Sequence, residues 1–102
     1  MNKTTLHQIA QEMRAELPAI GRVERVINRT LIQLLARNGQ LQLLIGHPDT
    51  YPCIEDAQLI ADAFGVAAYT EPRPQIARIA SQDGQAVKVK SCVYTWREAI
   101  SA

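Results

Sequence analysis

The apolar residues of this chain change their period part-way along it, and that change limits the fold more than any other feature. Leu6, Ile9, Ala10, Met13 and Leu17 recur at the i, i+3, i+4, i+7 spacing of an amphipathic helix. Beyond about residue 40 the apolar residues fall mostly into short runs cut by glycine and proline, the pattern of strands and turns. With 102 residues the chain has enough for one core and too few for two. The expectation is therefore a small α+β domain spanning residues 1–102. Hydrophobic residues make up 47% of it, far above what a disordered chain carries. Phe64, Trp96 and three tyrosines are its only aromatics, so that core should be mainly aliphatic.

Thr5 with Gln8 has the spacing of a capping box at the start of the first helix, and Pro18 predicts its end. A second helix is predicted over residues 19–37. Ile20, Val23, Ile27, Leu31, Leu34 and Leu35 form its apolar face, and Asn38-Gly39 its stop signal. On that helix Arg22, Arg25 and Arg29 fall on a narrow arc opposite the apolar stripe. Residues 41–45 read as a strand between Gly39 and Gly46, with a continuation of the second helix as the alternative. A third helix starts near Pro52 or Cys53, with Glu55 and Asp56 at its positive end. Ala57, Ile60, Ala61 and Phe64 point inward, and Gly65 supplies the left-handed cap. A strand over 66–70 is broken by Glu71-Pro72-Arg73-Pro74, and residues 75–81 and 85–95 form a hairpin. The order is α-α-β-α-β-β, helical over 5–38, mixed over 41–70 and a basic β-hairpin over 75–95. The helices pack on one face of a small antiparallel sheet.

The turn of that hairpin admits two registers. A two-residue Asp83-Gly84 loop sets Ile79 opposite Lys88, whereas a three-residue loop with Gly84 in a bulge sets Ile79 opposite Val87. The second gives one consistently apolar face and is the preferred reading. It places Arg78 opposite Lys88 with Lys90 beside them, a like-charge pairing that calls for a counter-charge. Cys92, Tyr94 and Trp96 continue the face of the lysines. Basic groups followed by aromatics suit a nucleic-acid strand. Edge lysines also guard against aggregation.

Net charge is only +1, but it is distributed as a basic, then an acidic, then a basic third. No apolar leader follows a basic start, and no apolar run approaches the roughly 20 residues of a membrane span. A cytoplasmic protein without membrane contact is expected. Cys53 and Cys92 read as two buried free thiols. No Gly-rich phosphate loop, nucleophile elbow or zinc motif is present. A helix-turn-helix fails because Glu71-Pro72-Arg73-Pro74 stands where its recognition helix should be. His47, Asp49, Cys53, Glu55 and Asp56 crowd together, as a polar loop entering a helix does. No catalytic residue, metal or cofactor is predicted. The expected function is that of a non-enzymatic accessory or regulatory protein that binds another protein or a second copy of itself. The alternative is DNA or RNA binding through Arg22, Arg25 and Arg29, or through Arg78, Lys88 and Lys90 with Tyr94 and Trp96.

Overall fold

The computed structural model describes residues 3–65, 76–82 and 84–97; the strand expected over 66–70 lies outside them. In chain order the elements are α1 (Lys3–Ile20), β1 (Arg22–Ile27), β2 (Thr30–Arg37), β3 (Gln40–His47), α2 (Ile54–Ala63), β4 (Ile76–Gln82) and β5 (Gln85–Arg97). The five strands make one antiparallel sheet in the order β1-β2-β3-β5-β4. The α+β class is as expected, but the order is α-β-β-β-α-β-β.

The difference lies in residues 22–37, which form a hairpin and not a helix. Ile27 pairs with Thr30 around Asn28-Arg29, and Arg37 pairs with Gln40 around Asn38-Gly39. All four loop residues have positive φ, the requirement of the tight turn that matches strand twist. Asn38-Gly39 is thus a strand-to-strand turn and not a helix stop. β2 runs near the middle of the sheet and is buried on both sides, with Leu31, Ile32 and Leu34 at most 2% exposed. Two-sided burial erases the alternation of a strand, and the remaining spacing imitates a helix. Pro18 does not end α1, which runs on to Ile20. Gly21, at φ +71, ends it, donating its N–H to Leu17 O at 2.6 Å. Thr5 lies inside α1 and not at its cap.

Arg29 is a side-chain-bearing residue held at φ 65, and the left-handed region costs such a residue roughly 1–2 kcal/mol. Its exposed ion pair with Asp49 (2.6 Å) returns at most about 1 kcal/mol. Arg29→Gly is therefore expected to leave stability unchanged or raise it by about 1 kcal/mol in urea denaturation. A loss above 1 kcal/mol would mean that the ion pair, and not the turn, governs this loop.

Because opposed residues of an antiparallel pair share a face, the register assigns each strand residue to one side of the sheet. On one side Val23, Ile32, Leu34, Leu41, Leu43, Ile45, Cys92, Tyr94 and Trp96 pack beneath both helices. The helices contribute Leu6, Ala10, Met13 and Leu17 from α1, and Ala57, Ile60 and Ala61 from α2. Arg14 of α1 joins the helices by donating to Phe64 O, at the C-terminus of α2, from Nη2 at 2.6 Å and Nε at 3.2 Å. On the other side Leu31, Leu44, Ala80, Val89 and Val93 form a second cluster with Val87. This cluster exists because the sheet coils. The overhanging β4–β5 arm folds back across β2 and β3, bringing Gly84, Gln85 and Ala86 at its tip alongside Arg22, Gln33, Leu35 and Arg37.

The hairpin register also differs from the preferred one. Gln82 pairs with Gln85, so the loop has two residues, with Gly84 at φ +77. Arg78 is therefore opposite Val89, Lys88 opposite Ile79, and Lys90 opposite Ala77. The predicted clash of Arg78 with Lys88 does not occur. The apolar face that fixes the register is the one carrying Ala80, Val87 and Val89, and it also accommodates Arg78.

Candidate protein-binding face

Neighbouring strands put Arg22, Leu35, Gln42 and Thr95 in one row across the coiled face, and Arg37, Gln40 and Arg97 in the next. Three arginines from three strands thus meet at one end of this face, and all three are exposed. Among the described residues none of them forms an ion pair; the two pairs seen there are Arg25–Glu16 and Arg29–Asp49. Arg78 lies on the same face, within the arm itself.

Two hollows open at this end of the face; Arg22 and Arg37 line them, and Arg97 stands opposite Gln40 at the edge of the smaller. The larger, about 420 Å³, lies between the arm tip and the strands and is lined by Arg22, Gln33, Leu35, Arg37 and Gln85. The smaller, about 230 Å³, is lined by Leu35, Arg37, Gln40, Gln42 and Thr95. They share Leu35 and Arg37 and so adjoin, as the two parts of a shallow trough. Thr95 lines the smaller hollow, and its Oγ1 is buried with no hydrogen-bond partner, a state that costs free energy.

The expected site residues are scattered. Arg22 belongs to the trough, Arg25 lies on the helix side of the sheet against Glu16, and Arg29 stands in the first turn; there is no arginine-lined helix. Lys88 and Lys90 do share a face with Tyr94 and Trp96. That face, however, runs under the helices, leaving Tyr94 and Trp96 0% and 5% exposed. They cannot stack on bases there. Lys90 instead sits 5.7 Å above the Tyr51 ring, a cation–π contact. Arg37, Arg97, Gln42 and Thr95 were missed as site residues. Strand parity would have found them once Asn38-Gly39 was taken as a hairpin turn.

A separate hollow of about 390 Å³ lies on the helix side, bounded by Leu6, Ile45, Ile60, Tyr51, His47 and Asp56. Asp49 donates its backbone N–H to His47 Nδ1 at 3.1 Å. Among the described residues no three of His, Cys, Asp and Glu are placed to hold a metal ion. Cys92 is buried, with Sγ 4.0 Å from Pro52 O, but Cys53 is exposed, against expectation, because it precedes α2 on the surface. No described helix is long and apolar enough to cross a membrane. Comparison with protein-family models, curated proteins and solved structures gives no match to this chain.

Proposed function

We propose that this protein works by binding another protein, which lies in the trough between the β4–β5 tip and strands β1–β3. The observation that carries this reading is the gathering of Arg22, Arg37 and Arg97 at one end of a face with two adjoining hollows, which Arg22 and Arg37 line and which Arg97 flanks beside Gln40, without ion-pair partners among the described residues. A trough with an apolar and amide floor and an arginine rim has the make-up of a recognition surface, where arginine is enriched. Self-association through this face is disfavoured, since it would oppose arginine to arginine. A nucleic-acid strand would find phosphate contacts here, but the two aromatics expected to stack its bases are buried.

A photo-crosslinking amino acid placed at Leu35, on the floor, and as a control at Glu12, on the exposed side of α1, tests this in extract of the native cells. A discrete protein adduct at position 35 and none at 12 is the expected result. Nuclease-sensitive adducts, the same adducts from both positions, or none at 35 would overturn the reading.

A further inference from the structure

Resting on that reading, we infer that the partner presents an acidic segment, whose Asp or Glu carboxylates are held by Arg22, Arg37 and Arg97, with Thr95 and Gln42 as neutral donors. The spacing decides the class of ligand. Adjacent strands lie about 4.8 Å apart, so Arg37 and Arg97, with Gln40 between them, have backbones about 10 Å apart. Arg22 pairs with Leu35, two residues from Arg37 on the neighbouring strand, which puts those two backbones about 8 Å apart. Three cations so spread suit several single charges better than one compact dianion. Alternate side chains of an extended segment are about 7 Å apart on one face, comparable to the arginine spacing once the flexible side chains are allowed their reach. Each guanidinium can take a carboxylate through two parallel hydrogen bonds.

The floor supports the same choice. Thr95 lines the smaller hollow with its Oγ1 buried and without a partner, and a turn about χ1 would bring that hydroxyl to a carboxylate oxygen there. The Gln33, Gln40, Gln42 and Gln85 amides line the trough and can bond a peptide backbone in either sense. Leu35, half-buried at the junction of the hollows, leaves room for one apolar side chain between the acidic ones. Among the described residues the carboxylate of this face is Glu24, two residues along β1 from Arg22, beside Gln33 and away from the Arg37–Arg97 end.

Fluorescence polarisation with a labelled Glu-Thr repeat peptide of ten residues tests the inference. A Gln-Thr repeat of the same length and ten-residue oligo-dT serve as comparators, at low and at moderate salt. The acidic peptide is expected to bind and the Gln-Thr peptide not, with affinity falling as salt rises. Arg37→Glu and Arg97→Glu should each weaken it at least tenfold, and Thr95→Val by about two- to fivefold. Lys88→Glu, on the outside of the arm, should leave it unchanged, and circular dichroism melting should show every variant folded. No binding at low salt, binding lost with Lys88→Glu but kept with Arg37→Glu and Arg97→Glu, or tighter binding of oligo-dT would overturn the inference. The two readings fail separately. A crosslinked protein adduct at position 35 that survives Arg37→Glu keeps protein binding and removes the acidic partner.

Discussion

Gly46→Ala is expected to destabilise the protein by about 1–3 kcal/mol, the usual cost of overfilling a packed core. A Cβ at position 46 would lie 2.9 Å from Val89 Cγ2, 3.1 Å from Val89 Cβ and 3.2 Å from Leu44 Cδ2. Val89 cannot turn aside cheaply, because a β-branched side chain has few χ1 options and this one is 2% exposed. Val89 lies where β5 leaves β3 to carry the arm back across the sheet, so the absent side chain of Gly46 is what lets the arm come down. Val89→Ala alone should also cost stability, since it opens the second cluster. The double variant should be more stable than the sum of the two single losses predicts, by 1 kcal/mol or more, because each change relieves the other. Urea denaturation of the four proteins measures this coupling. Additive losses would show that Gly46 and Val89 do not meet. A lifted arm also removes one wall of the trough, so Gly46→Ala should weaken acidic-peptide binding without altering any arginine.

What the sequence revealed, and what it hid, follows from how many sides of each element are buried. α1 and α2 bury one side each, so their stripes, Leu6 to Leu17 and Ala57 to Phe64, were legible directly. β2 buries two sides, and its run of leucine and isoleucine carries no period to read. Asn38-Gly39 is a strong hairpin signal that serves equally well as a helix stop, and the apparent helical spacing before it tipped the choice. Asn28-Arg29 gave no warning, since arginine is not a residue one expects at a left-handed position. The site suffered accordingly. Arg22 was singled out for a helix face it does not occupy, while Arg37 and Arg97 went unselected because they join it only through strand pairing. Parity on β5 was read correctly, with Tyr94 and Trp96 on the face of Lys88 and Lys90. It could not reveal that helices cover one end of that face.

Tyr94 should answer two substitutions in opposite directions. Its ring is 0% exposed at the centre of the helix-side core, so Tyr94→Ala is expected to cost about 3–5 kcal/mol, as other aromatic truncations do. Its hydroxyl, however, is buried without a hydrogen-bond partner. Leaving such a group unsatisfied costs about 1–3 kcal/mol, so Tyr94→Phe should raise stability or leave it unchanged. Alkaline titration separates the hydroxyl's effect from the ring's. Burial pushes the Tyr94 pKa up from 10.0 to about 12, with the negative charges of Cys92 and Asp62 adding to it. Below pH 10 the phenol is neutral in both folded and unfolded chains, and its contribution is constant. Between pH 10 and about 12 the unfolded chain releases the proton while the folded one retains it, so stability falls as pH rises. Tyr94→Phe should remove that part of the alkaline loss, and its advantage over the wild type should widen across the same interval. A Phe variant less stable than wild type by more than 1 kcal/mol at neutral pH would show that the hydroxyl has a partner after all. The core would then be held partly by a polar contact and not by packing alone.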